Sequence, residues 1–60
     1  MNRLQMFVTR SDGSSYVEHV ERDTADGRRI VDRLAWIALT RKNVVAVEVT
    51  SSDRIGGYSR

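Results

Sequence analysis

The stretch RRIVDRLAWIALTRK, residues 28–42, limits what this chain can fold into more than any other feature. Its apolar residues recur at helical spacing, and a helix with one apolar stripe must bury that stripe against another element. At about 100° per residue, five apolar side chains fall on one side of the helix. This spacing predicts a buried face made of Ile30, Val31, Leu34, Ile37 and Ala38.

Capping signals set the ends of this helix. Asp23 or Thr24 can accept hydrogen bonds from the free amides of the first turn, and Asp26 in that turn suits the helix dipole. The cationic pair Arg41-Lys42 suits the other end, where the dipole favours positive charge. We therefore expect a helix from about Thr24 to Arg41.

Three further segments alternate apolar and polar residues, which is typical of β-strands. They are RLQMFVTR near the N-terminus, residues 16–22, and NVVAVEVTS after the helix. The side chains expected to face the helix are Leu4, Met6 and Val8 in the first strand, Tyr16 and Val20 in the second, and Val45, Val47 and Val49 in the third.

The dipeptide Asp12-Gly13 predicts a hairpin between the first two strands. A two-residue loop would pair Val8 with Val17. A three-residue loop, with the glycine in the left-handed region, would pair Val8 with Tyr16. We favour the three-residue loop because it collects the apolar residues of both strands on one face, at the expense of one misplaced Glu18.

The order of elements predicts the architecture. A right-handed crossover through the helix places strand one between strands two and three. The expected fold is α+β, a single small ββαβ domain over residues 1–50, with a three-stranded sheet of order 2-1-3 and one helix packed on one face. Residues 51–60, SSDRIGGYSR, lack periodicity and are expected to form a flexible C-terminal tail. The second face of the sheet is left bare.

Composition excludes several classes of function. The chain has 60 residues, no cysteine and one histidine, His19, so disulfides, thiolate metal sites and cysteine nucleophiles are excluded. His19 and Glu21 share a strand face, but two ligands do not make a metal site. So small a domain also lacks room for a water-excluded cleft. We expect no catalysis, no metal, no cofactor and no small-molecule substrate.

The chain also lacks the sequence features of a membrane or exported protein. Its longest strongly apolar run, LAWIAL, is far shorter than the roughly 20 residues that span a bilayer. The segment MNRLQMFVTR does not resemble a cleavable leader. We expect a cytoplasmic protein without membrane contact. Its size and expected fold are common among short phage and mobile-element proteins, although no motif ties it to any of them.

Trp36, the only tryptophan, falls about 240° from Ile30, opposite the predicted buried stripe. It lies beside Arg29, Arg33 and Thr40, with Leu39 on its flank. Three interpretations stay open. The tail or the arginine stems cover the ring, the ring belongs to a protein-contact patch, or the ring stacks on a nucleic-acid base.

The function expected from these features is that of a small non-enzymatic interaction module. It binds a protein partner, with a homodimer as one form, through the Trp36 side of the helix or the bare sheet face. The candidate partner-binding residues are Trp36, Arg29, Arg33, Leu39, Thr40, Phe7 and Val17.

The alternative is a small nucleic-acid-binding protein with an aromatic platform at Trp36 or Phe7. A formal net charge of +2 and a pI near 9.7 permit this function without requiring it. The candidate contacts are Arg29, Arg33, Arg41 and Lys42.

Overall fold

The computed structural model describes residues 3–51 and 54–59, which form one sheet and one helix. The elements are β1 (Arg3–Arg10), β2 (Ser15–Arg22), α1 (Ala25–Leu39), β3 (Val44–Thr50) and β4 (Arg54–Ser59). All three strand pairs are antiparallel, and the sheet has the order β2-β1-β3-β4 with α1 packed on it. The protein is therefore a small α+β fold.

The predicted three-stranded sheet of order 2-1-3 is wrong. The sheet has four strands: β1 lies between β2 and β3, and β4 pairs with the other side of β3. β4 lies within the segment 51–60, so the expectation of a tail without regular structure is corrected for residues 54–59. The rest of the prediction for Ser52, Asp53 and Arg60 lies outside the described residues, as do Met1 and Asn2 of the predicted domain.

β4 escaped prediction because its stability does not depend on alternating apolar side chains. Its sequence, RIGGYS, contains two consecutive glycines, which are rare in strands and typical of turns. The strand is held by backbone pairing with β3, from Ala46 opposite Ser59 to Glu48 opposite Gly57. Backbone hydrogen bonds of this kind leave little trace in a hydropathy pattern.

α1 begins where the sequence predicts and ends two residues earlier. Thr24 is the N-cap, and its hydroxyl accepts a hydrogen bond from the Gly27 amide at 3.0 Å. Thr40 is the C-cap, so the helix ends at Leu39 rather than at Arg41.

The helix is also turned about its axis relative to the prediction. Ile30 and Ile37, expected in the core, are 45% and 50% exposed, and Leu34 is only partly buried. The centre of the buried side is shifted by about 70° from its expected position. β4 explains the shift, because it widens the sheet under the side of α1 that was expected to face solvent. The buried helix residues are Gly27, Val31, Ala35, Ala38 and Leu39.

The core between sheet and helix combines large strand residues with small helix residues. Small side chains on α1 allow its backbone to approach the sheet closely, so branched strand residues can fill the space between them. Its buried members are Leu4, Met6 and Val8 of β1, Val44, Val47 and Val49 of β3, and Val31, Ala35, Ala38 and Leu39 of α1.

Near the turn, the hairpin follows the three-residue-loop register. Val8 lies opposite Tyr16 and Phe7 opposite Val17, as predicted. Gly13 has a φ of 90°, in the left-handed region that glycine adopts without strain. Ser14 closes the loop, because its amide donates to Asp12 Oδ1 at 2.9 Å.

Farther from the turn, a bulge in β2 changes the register. The shift falls between Met6 and Phe7, so Met6 lies opposite His19, as in the two-residue-loop register. The misplaced Glu18 is thus absorbed as an extra residue. As a result Val20, expected to face the helix, lies on the opposite face of the sheet beside Gln5, and His19 lies on the helix side beside Met6.

A second irregularity changes the start of β3. The pairing with β1 shifts between Thr9 and Arg10, which leaves Val45 without a direct partner. Val44 is buried in its place, and Val45 is exposed. The prediction that Val45 faces the core is therefore wrong.

Candidate interaction surfaces

The outward side of α1 carries apolar residues that no other described element covers. We name the outer helix surface by its residues: Arg29, Ile30, Arg33, Trp36, Ile37 and Thr40. Trp36 is 56% exposed, and Ile30 and Ile37 lie two helical turns apart on the same side. At about 100° per residue, Arg33 lies between Trp36 and the two isoleucines, so apolar and cationic side chains share this side of the helix.

Trp36 is braced on one side by β4. Its ring lies 5.4 Å from the Tyr58 ring in an edge-to-face arrangement, with an angle of 80° between the planes. The Tyr58 hydroxyl in turn donates to Asp32 Oδ1 at 2.6 Å. Burial, and then the Asp32 carboxylate, raise the pKa of Tyr58 to about 12. The segment expected as a tail thus contacts the indole without covering it.

The other predicted residues around Trp36 differ in availability. Leu39 is only 6% exposed and belongs to the core, so it is not part of this surface. Thr40 lies at the surface, but its hydroxyl donates to the Ile37 carbonyl at 2.6 Å. Arg29 forms an exposed ion pair with Asp26 at 2.6 Å. Among the described residues, no carboxylate lies within ion-pair distance of Arg33.

The four basic residues predicted to contact nucleic acid do not form one group: Arg29 and Arg33 lie one helical turn apart, whereas Arg41 and Lys42 follow the end of the helix. Arg41 is held at the β2 side, where Nη2 lies 2.8 Å from Glu18 Oε1 and Nη1 donates to the Tyr16 hydroxyl at 3.3 Å. This guanidinium lowers the pKa of Glu18 below its usual value. Arg29 lies twelve residues from Arg41, about 18 Å along a helix axis. Lys42 is an exposed residue beyond the helix end.

The sheet side facing away from α1 forms a second surface. We name the outer sheet face by its residues on β1 and β2: Arg3, Gln5, Phe7, Val17, Val20 and Arg22. Val17 and Val20 are exposed and Phe7 is partly buried, with Val17 opposite it on β2 and Glu48 opposite it on β3. The molecule therefore presents two separate apolar surfaces on opposite sides.

Several surface residues were missed by the sequence reasoning. The hydropathy pattern predicts Ile30 and Ile37 in the core. It does not show that smaller helix residues such as Ala35 face the sheet instead. The sequence pattern does not single out Arg3 and Arg22, which the structure places opposite each other across β1 and β2. The favoured three-residue-loop register places Glu21 opposite Arg3, and the bulge restores the two-residue-loop register that pairs Arg3 with Arg22.

No catalytic or metal-binding arrangement emerges from the described residues. His19 Nε2 lies 3.2 Å from Glu21 Oε2, an interaction that lowers the pKa of Glu21. Within residues 3–51 and 54–59, no three potential metal ligands come together. In the same part of the chain, α1 falls short of the length and apolarity that a bilayer-spanning helix requires. The absence of an enzyme activity and of a cofactor stays a prediction.

Comparison of the chain with protein-family models, curated proteins and solved structures gives no match. Its function is therefore inferred from the surfaces described above.

Proposed function

We propose that this protein is a non-enzymatic interaction module that forms a homodimer through the outer helix surface. The supporting observation is that Ile30, Trp36 and Ile37 are each about half exposed on one side of α1. Exposed apolar side chains gathered on one side of a helix mark a contact site in small proteins. A 60-residue chain without disulfides also gains stability from burying such side chains against another subunit.

A second copy of this chain fits the surface because the pattern of residues is self-complementary. Ile30 and Ile37 lie at equal distances on either side of a point between Arg33 and Leu34. Two helices packed antiparallel about a two-fold axis at that point bring Ile30 of each copy to Ile37 of the other. The same packing places Arg29 of one copy near Trp36 of the other, where a cation–π contact is favourable.

The charges at the two ends of the helix favour the same arrangement. Asp26 lies in the first turn, and Arg41 and Lys42 follow the last turn. In an antiparallel pair Asp26 of one copy lies near Lys42 of the other, beside its own ion pair with Arg29. Such peripheral charges contribute more to orientation than to affinity, so the apolar centre supplies most of the binding free energy.

The experiment is a measurement of molar mass over a wide range of protein concentration by sedimentation equilibrium. We expect the mass to rise from that of the 6.8 kDa chain to twice that value. Ile37→Glu should keep the protein monomeric, because it buries a charge at the centre of the contact. Val17→Glu is the matched control, because Val17 is similarly exposed on the outer sheet face. A wild-type protein that stays monomeric, or one that Val17→Glu dissociates instead, would refute dimerisation through the helix.

Nucleic-acid binding by the helix cations has less support. Asp26 and Glu18 already pair with Arg29 and Arg41, respectively. The two arginines are also too far apart along the helix to contact one phosphate.

A further inference from the structure

Two arginines lie directly opposite each other at one end of the outer sheet face. Arg3 of β1 and Arg22 of β2 are paired across the strands, and both side chains are exposed. Side chains of directly opposed residues in antiparallel strands are close neighbours, and like charges there are destabilising. Among the described residues, neither guanidinium has a carboxylate within ion-pair distance. An anion between them would relieve the repulsion.

The carboxylate nearest in sequence, Glu21, neutralises this pair only in part: its Oε1 accepts from the Arg22 amide at 3.4 Å, and the Arg22 charge makes only a minor contribution to lowering the pKa of Glu21. Glu21 precedes Arg22, but strand alternation directs it to the helix side, and its Oε2 lies 3.2 Å from His19. Two guanidinium groups side by side match the oxygens of a phosphate better than a single cation does. Their chemistry therefore favours a phosphate-bearing ligand.

The rest of the outer sheet face is apolar and includes an aromatic ring. Phe7 lies four residues from Arg3 on the same side of β1, about 13 Å along the strand. Val17 is its neighbour on β2, and Val20 lies between it and the arginine pair. A ligand that engages both ends needs an anionic group and a flat or apolar group separated by that distance. A single nucleotide is too short, whereas a nucleic-acid strand has a repeating supply of both.

We propose that the outer sheet face binds single-stranded nucleic acid, with a backbone phosphate held between Arg3 and Arg22 and a base stacked on Phe7. The arginine pair and Val17 lie on β1 and β2, whereas Glu48 lies beside Phe7 on β3, so we place the strand along β1 and β2. This site uses none of the residues of the proposed dimer contact. Base–aromatic stacking and phosphate contacts are the usual basis of binding without strong sequence preference.

The test is fluorescence anisotropy of a labelled single-stranded oligouridine with the full chain, over a series of salt concentrations. Arg3→Ala/Arg22→Ala should weaken binding at least tenfold, and the slope of log K against log salt should fall by about 0.7 for each phosphate that the variant no longer neutralises. Arg28→Ala/Lys42→Ala is the control, because it removes the same formal charge from exposed positions outside both this site and the outer helix surface. It should change the affinity less than twofold.

A second variant separates base stacking from electrostatic attraction. Phe7→Leu should weaken binding several-fold and leave the salt slope unchanged, whereas Phe7→Trp should retain the affinity. Circular dichroism confirms that each variant is folded. The proposal is wrong if the wild-type chain fails to bind at low salt, or if the control double variant loses as much affinity as the Arg3/Arg22 pair. It is also wrong if polyglutamate displaces the strand equally well and Phe7→Leu has no effect, since the surface would then bind acidic proteins.

Discussion

Gly27 shows how one residue joins the helix to the sheet. It lies in the first turn of α1, is buried, and donates its amide to the Thr24 cap. A methyl group at this position would overlap the carbonyl oxygen of Arg22, at the end of β2, and would lie 3.1 Å from Glu21 Cγ. Glycine is therefore required here by close approach of two backbones and not by an unusual φ angle.

Gly27→Ala should lower the free energy of unfolding by about 1–3 kcal/mol, as overpacking does in well-packed interiors. This is the opposite of what helix propensity predicts, since alanine is the better helix former by about 1 kcal/mol. Gly56→Ala is the control, because the added methyl group meets nothing within 4 Å. Its effect should stay within about 0.5 kcal/mol. Urea unfolding followed by circular dichroism measures both, and equal stability of the two variants would contradict the assigned role of Gly27.

At the scale of elements, the sequence predicts the helix, the hairpin turn and three strands, because each has a strong local signal. Thr24 supplies a cap, Gly13 a left-handed turn residue, and β1 a clear alternation. The sequence does not predict β4, because its two glycines are typical of a turn and the strand depends on backbone pairing with β3. The rotation of α1 follows from that failure, since an unseen strand changes which side of the helix is covered.

The candidate surfaces are likewise predictable where they depend on one element and unpredictable where they depend on how elements pack. The exposed position of Trp36 was predictable from helical periodicity, because it depends on α1 alone. The burial of Leu39 in the core and the exposure of Ile30 and Ile37 at the surface depend on the width of the sheet. The Arg3–Arg22 pair depends on a bulge, which no hydropathy pattern shows.

Tyr58 of β4 contacts α1 through its hydrogen bond to Asp32 and its ring contact with Trp36, and a variant at Tyr58 can test the hydrogen bond separately. Tyr58→Phe removes the hydrogen bond to Asp32 and should cost about 1 kcal/mol at neutral pH. In the folded chain the phenol pKa is raised from 10.0 to about 12. The folded state thus binds the phenol proton more tightly than the unfolded state does. The stability that the protonated phenol contributes is complete below pH 10 and is lost as the pH rises from 10 to about 12.

Chemical unfolding at a series of pH values, from neutral to strongly alkaline, measures this dependence. The difference in unfolding free energy between the wild type and Tyr58→Phe should shrink as the phenol ionises. Asp32→Asn keeps an acceptor but removes its charge, and it should weaken the dependence on pH. A difference between wild type and Tyr58→Phe that is constant over the whole range would show that the hydroxyl contact does not persist in solution.

At the scale of the whole molecule, the helix layer and the sheet layer each leave one outer surface free, one proposed for dimerisation and the other for nucleic-acid binding. The Cα atoms span 33 × 18 × 14 Å, so a single helix and a single sheet share one thin core. The outer helix surface and the outer sheet face are separated by that core. Dimerisation through the helices leaves both sheet faces of the pair accessible.

This arrangement makes thermal stability dependent on protein concentration. Because association stabilises only the folded chain, the Tm of the wild type should rise as the protein is concentrated. Ile37→Glu should remove that dependence, whereas Val17→Glu should retain it. Differential scanning calorimetry at several concentrations gives the answer, and a concentration-independent Tm for the wild type would argue against the dimer.

The edge-to-face contact between Trp36 and Tyr58 makes the lone indole an intrinsic optical reporter of the last strand. Its emission depends on whether the phenol ring stays docked, while the backbone signal in the far ultraviolet follows the whole fold. In the monomeric Ile37→Glu variant, where no second copy contacts the indole, the two signals will change at different denaturant concentrations if the C-terminal edge of the sheet opens before the rest. The chain can thus show fraying at one edge without any added label.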